Sequence, residues 1–258
     1  MSMWILLKSF CKKDFILFKR YIFNSIWGII SLYVMFLLIF LGYKGVAGGS
    51  ESYGSKLDGL IVGYVLFFTV IFAYSAISST ISEECRKGTL EQLYMSAFSF
   101  KTILFVKVIS SLLYELIFIS IILFLNMLTT GHFLNLDLLS IMPIVICTLL
   151  CFYGLGLIVG GITLVFKKAE NFLQILQFGI IVFIAVPVGK IPALALLPGA
   201  LGSNMINKVM TKGKHITEFS VQQLGLLLLV GLAYLIIGGF VYKIFEKKSM
   251  KMGTLGHY

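Results

Sequence analysis

Residues 59–82 read GLIVGYVLFFTVIFAYSAISSTIS and run straight into EECRKGTLEQLYMSAFSFKTILFVK at 83–107. The first stretch holds 24 residues without a charge, and about 20 apolar residues rising ~1.5 Å each cross the hydrocarbon core of a bilayer. A further apolar run begins at Val108, so the charged insert between the two belongs at a membrane face. Within it, Thr89 and Gln92 have the spacing of a capping box, in which a hydroxyl and an amide side chain satisfy the free N–H groups that open a helix. The spacing predicts a short helix at about Thr89–Met95. Leu90, Leu93 and Tyr94 share one side of it, at the i, i+3, i+4 positions that offer an apolar face to a partner.

Outward from this insert the chain is 59% hydrophobic and 12% charged over 258 residues, which places it among integral membrane proteins rather than soluble domains. The net charge of +10 does not point to nucleic acid, because the basic residues are scattered in loops beside apolar runs. Orientation in a membrane accounts for them better. Uncharged runs lie at Tyr21–Tyr43, Gly59–Ser82, Val108–Gly131 with Glu115 as its one interruption, Leu138–Phe166, Asn171–Gly189, Ile191–Asn207 and Phe219–Tyr242. The sixth contains Pro192, Pro198, Gly199 and Gly202, which break the helical hydrogen-bond ladder. It is read as a re-entrant hairpin over 187–207. Six spans then remain, and both termini share a side. Fifteen Lys and Arg residues fall on that side and six on the other, so both ends are expected in the cytoplasm, with Gly45–Leu57 and Lys208–Glu218 as outer connections.

The first 22 residues are not a span. On a helical projection Trp4, Leu7, Cys11, Phe15, Phe18 and Ile22 form a stripe that Lys8, Lys12, Lys13, Lys19 and Arg20 avoid. That pattern is an interfacial helix, with lysines toward anionic headgroups. Asp14 fits it badly. No short apolar h-region with a small-residue cleavage site opens the sequence, so no removable signal peptide is expected, and Cys11, Cys85, Cys147 and Cys151 are read as packing residues.

Catalytic and metal-binding chemistry finds no residues to carry it. The nearest approach to a phosphate loop, Gly49–Lys56, places Gly-Ser-Lys where Gly-Lys-Ser/Thr is required. His132, His215 and His257 have no ligand-spaced neighbours in the sequence. Glu83, Glu84 and Glu91 are acids near a helix start, where the helix dipole favours them. Glu115 lies inside a span, and an ionisable group there needs a partner or a cavity. A bond to a Tyr or Ser of a neighbouring helix and a place along a substrate path both remain open for it. Gly156 and Gly160 have the small-xxx-small spacing of closely packed helices, read as packing within one subunit. Asn171, Gln174 and Gln177 give the next run a polar edge.

The insert also resembles the coupling segment of the permease subunits of ABC-2-type ABC transporters, a pattern close to E-E-R-x-x-G-T-L-E-Q-L-x-x-S-P-x-S followed by an early Lys on the next helix. Glu83, Glu84, Gly88, Thr89, Leu90, Glu91, Gln92, Leu93, Ser96, Ser99 and Lys107 match it, while Cys85 replaces the usual Arg and Ala97 the usual Pro. Gly253–Tyr258 resembles a recurring C-terminal signature of the same permeases. The resemblance implies an all-α integral membrane fold over 1–258 as one transmembrane domain: interfacial helix, six spans, cytoplasmic coupling segment at 83–99, and outer hairpin. It implies ATPase coupling through Glu83, Glu84, Gly88, Thr89, Leu90, Glu91, Gln92 and Leu93, and a substrate path near Glu115, Asn171, Gln174 and Gln177. The implied partners are a separate ABC ATPase subunit, which would bind ATP and Mg, a second permease subunit as homodimer or heterodimer, and membrane lipid. No cofactor is expected on this chain. The implied function is export across the cytoplasmic membrane by alternating access; a stand-alone secondary transporter or channel is the alternative, and would place several ionisable groups or broken helices at mid-membrane.

Overall fold

The computed structural model describes residues 3–47, 53–166, 170–186, 188 and 192–252. The described residues are helical with no strand: α1 (Met3–Arg20), α2 (Ile22–Ala47), α3 (Tyr53–Arg86), α4 (Leu90–Tyr94), α5 (Phe100–Thr130), α6 (Leu138–Phe166), α7 (Glu170–Ala185), α8 (Ala200–Lys212) and α9 (Val221–Lys251), with 3₁₀ turns at Pro192–Leu196 and Ile216–Glu218. Five of these, α2, α3, α5, α6 and α9, are long and apolar enough to cross a membrane. The C-terminal signature at 253–258 lies outside the described residues.

Burial divides the bundle into three layers. At one end Ile77, Ile81 and Cys85 of α3 pack with Leu90 of α4, Phe100 and Leu104 of α5, Leu164 of α6 and Tyr242 of α9. A middle layer joins Val70 and Tyr74 to Leu149, Phe152, Ile180 and Val230. The opposite layer collects Phe36, Leu57, Ile61, Met127, Ile144, Phe219 and the buried side of α8. Helices α6 and α9 touch backbone to backbone: a Cβ built on Gly238 would lie 2.1 Å from the Gly154 carbonyl oxygen, and one on Gly154 would lie 2.3 Å from that of Tyr234. Gly156 and Gly160 face α3 instead, against the Tyr74 carbonyl and Ile77. Both glycines thus serve packing inside the subunit.

Helix α1 lies along α5. Its half-buried Leu7, Cys11 and Phe18 face inward, and Phe18 meets Tyr114 and Phe118 edge-on at 5.3 and 6.0 Å. Trp4 and Phe15, from the same sequence stripe, stay 72% and 65% exposed. Asp14, the misfit of the amphipathic pattern, accepts a hydrogen bond from the Ser110 hydroxyl on α5. The connections also differ from expectation. Helix α2 continues to Ala47 and α3 starts at Tyr53, so the expected outer loop 45–57 is largely helical, and α8 likewise runs through Lys212.

Helix α7 has 16 residues, about 24 Å by helical rise, short of the ~30 Å core. Its last carbonyls bond to α8: Ser203 Oγ donates to Ile184 O at 2.9 Å and Asn204 Nδ2 to Val186 O at 2.9 Å. Helix α8 opens at Gly199, beside Phe152 of the middle layer, and ends where Met210 O accepts the Asn135 backbone N–H from the α5–α6 connection. It therefore runs from mid-bundle to the end opposite α4. The hairpin expected at 187–207 is, in its described part, a 3₁₀ turn followed by this ascending helix.

Candidate functional site

The segment at 83–99 is built on three anchors. Gly88 has φ +67°, a left-handed conformation that only glycine adopts without strain, and it turns the chain from α3 into α4. The Glu84 carboxylate then takes Lys107 Nζ of α5 at 3.2 Å, and both side chains are nearly buried, 11% and 13% exposed. Thr89 donates its hydroxyl to the same carboxylate and its backbone N–H to the Glu84 carbonyl. This corrects the capping-box reading: the Thr89 side chain makes no cap hydrogen bond to α4, because Thr89 has helical backbone angles, φ -96° and ψ -3°, not the extended ones of a cap residue, and its hydroxyl is turned back to donate to Glu84.

The third anchor is apolar and reverses another expectation. Leu90 is 2% exposed and packs into the α3–α5–α6–α9 layer, with Leu93 and Tyr94 against it. Tyr94 stacks on Phe100 at 4.2 Å and donates to Glu246 Oε1 of α9 at 3.4 Å, while Glu246 Oε2 pairs with Lys101 at 3.3 Å. Burial pushes the Tyr94 hydroxyl above its ordinary pKa, so it stays a donor. The face carrying Leu90, Leu93 and Tyr94 is thus covered by the chain's own helices. What α4 presents outward is Glu91, Gln92 and Met95, the last 81% exposed, flanked by Arg86, Lys87 and Gly88. Glu83 sits at the edge of this surface and pairs with Lys87, which raises the lysine pKa.

Glu84 and Lys107 also line a cavity of about 280 Å³ closed from the side by Phe10 and Lys13 of α1. Sequence reading found Lys107 through the family pattern but gave no role to Glu246, whose neighbours Lys247 and Lys248 look like tail. A carboxylate one turn past an apolar span, facing a lysine at the start of another helix, was the available signal.

Of the expected substrate-path residues, Glu115 and the two glutamines of α7 border no common space among the described residues. Glu115 of α5 takes no hydrogen bond among the described residues. It borders an open groove with Asp14, Asn24 and Ser25 on one side, and on the other a small cavity where the buried Tyr153 hydroxyl is also unpaired. Neither space includes a glutamine of α7. Gln174 is exposed and Gln177 half-buried on α7, and the Asn171 side chain lies outside the described residues. At the end opposite α4, two histidines unremarkable in sequence find carboxylates: His132 Nδ1 lies 2.9 Å from Asp58 and His215 Nδ1 2.8 Å from Asp137. Asp137 also accepts from Ser140, and these two hydrogen bonds, Ser140 first, hold its carboxyl below the usual range. The described residues contain no group of three metal-ligating side chains.

In comparison with known proteins, residues 5–197 match the family model described as ABC-2 type transporter. No curated protein matches significantly.

Proposed function

We propose that this chain, which belongs to the ABC-2 type transporter family, is the permease of an ATP-driven exporter and receives its power stroke through the surface Gly88, Glu91, Gln92 and Met95. Membrane domains of this family work with ABC ATPase subunits. The observation that carries the reading is the division of α4 into two sides, one locked into α3, α5 and α9 and one free of the bundle. A helix fixed in this way cannot tilt alone. Force on its outer side passes through Glu84–Lys107 to the α3–α5 pair and through Tyr94–Glu246–Lys101 to α9, so closure of an ATPase pair moves spans as rigid bodies. Glu83, Glu84, Thr89, Leu90 and Leu93 then act as transmission elements behind the docking surface.

In this reading the α4 end is cytoplasmic and carries both termini, as the fifteen-to-six distribution of basic residues favours. The α7–α8 pair completes the sixth crossing of a single membrane domain. A second permease copy or a related chain pairs with it, and substrate moves outward. Nucleotide and Mg reside in the ATPase. Pull-down of the ABC ATPase subunit that co-purifies with this chain tests the surface: Met95→Asp should weaken association about 30-fold, the loss of an interface anchor worth ~2 kcal/mol, with normal size-exclusion behaviour. Undiminished association would remove Met95 and its neighbours from the interface.

A further inference from the structure

A cleft of about 640 Å³ opens between α2, α3, α7 and α8, within the size range of sites that hold small organic ligands. Its inner walls are apolar: Met35 and Ile39 of α2, Phe67 of α3, Ile181 and Ile184 of α7. Gly63 of α3 leaves part of it empty, since a Cβ there would meet nothing within 4 Å. The rim has a different chemistry. Asn204, Lys208 and Lys212 follow one another at four-residue spacing along one side of α8, while Met205, Ile206 and Val209 on its other side are buried.

Two lysines one helical turn apart repel each other, and neither has a carboxylate in ion-pairing range among the described residues. Asp58, close by on α3, is engaged by His132. The rim also lies at the α8 end that meets the α5–α6 connection, so the charge sits at the bundle end and the apolar walls lie deeper. Positive donors at headgroup level above an apolar slot complement an amphiphile, not a free ion or a neutral chain.

We propose that this cleft takes a membrane-borne amphiphile with an anionic headgroup, the headgroup on Lys208 and Lys212 and its chain along Ile39, Phe67 and Ile181. As a substrate class this rests on the exporter reading; binding does not, and is measured separately. The test is photocrosslinking of the purified full chain in vesicles that contain a diazirine-tagged phosphatidylglycerol or, in parallel, an equally tagged phosphatidylcholine, with the labelled peptides mapped by mass spectrometry. Phosphatidylglycerol should label the α2, α3 and α7 walls. Lys208→Gln with Lys212→Gln should cut that labelling at about fivefold per lysine, leave phosphatidylcholine labelling unchanged, and be rescued by Lys208→Arg with Lys212→Arg. Gly63→Leu, which fills empty space, should reduce labelling while the chain still elutes as folded. An excess of glycerol 3-phosphate should not compete, since the chain contributes to binding. Equal labelling by the two lipids, indifference to the glutamine pair, or full competition by the free headgroup would overturn the proposal. ATPase pull-down on the same samples separates its failure from failure of the coupling surface.

Discussion

Glu84 shows how one side chain changes the meaning of a motif. Removing one partner of an almost buried ion pair strands the other in a low-dielectric site, at a cost of about 3 kcal/mol or more. Glu84→Gln should therefore lower the thermal midpoint of the purified chain clearly, and Glu84→Gln with Lys107→Met should recover part of the loss, a coupling that a double-mutant cycle reads directly. The exposed Glu83–Lys87 pair should be nearly silent in the same assay, because solvent screens it. Asp137 supplies a pH signature at the other end of the molecule. Its folded pKa is depressed, so the stability it contributes is present above the ordinary carboxylate range and disappears as pH falls through the folded value. Asp137→Asn should flatten the acid side of a plot of thermal midpoint against pH. The motif around Glu84 was legible in sequence, but its internal wiring was not. Thr89 three residues before Gln92 looks the same whether the hydroxyl caps a helix or reaches back to a carboxylate, and only the arrival of Lys107 from α5 decides it.

Helix α4 carries the same lesson for whole elements. Spacing established that Leu90, Leu93 and Tyr94 share a side, yet periodicity cannot say whether a partner or the chain's own bundle covers it. The spans on either side of the insert supply the cover, so Leu90→Asp buries a charge beside Ile81 and Leu164 and should prevent folding or insertion, not merely docking. Size-exclusion chromatography separates that outcome from the clean loss of ATPase binding expected for Met95→Asp. The α6–α9 seam was also hidden. Gly156 and Gly160 stand out as a pattern, whereas Gly154 and Gly238 meet only in space. Gly238→Ala has no room for its methyl group against the Gly154 carbonyl, so it should destabilise by about 1–3 kcal/mol, and Gly239→Ala, where nothing lies within 4 Å, should not.

At the scale of the whole molecule, run length made the five long apolar helices legible, while the path between α6 and α9 was harder to read. The uncharged run 171–189 looks long enough to cross, but α7 ends at Ala185, just before Val186 and Pro187, and the residue preceding a proline disfavours the helical region. The carbonyls of Ile184 and Val186 accept from Ser203 and Asn204 of α8, so in the proposed topology the two short helices share one crossing, with the turn at 192–196 between them. Leu196 marks how deep that turn goes. Its carbonyl accepts from Tyr234, 13 residues into α9 from Val221 and so about 20 Å from the end of that helix. In a cysteine-free background, single cysteines should therefore separate into three classes. Position 250 should react with a membrane-impermeant maleimide only after the cell is opened, and position 214 from outside intact cells. Position 196 should react from neither side, although its side chain is 57% exposed on the isolated chain, because lipid or a second subunit covers it. Outside labelling at 250 would mean that the sixth run crosses completely. Free outside labelling at 196 would instead mean that the turn rests at the surface, leaving α7 alone to span a core that its 16 residues do not reach.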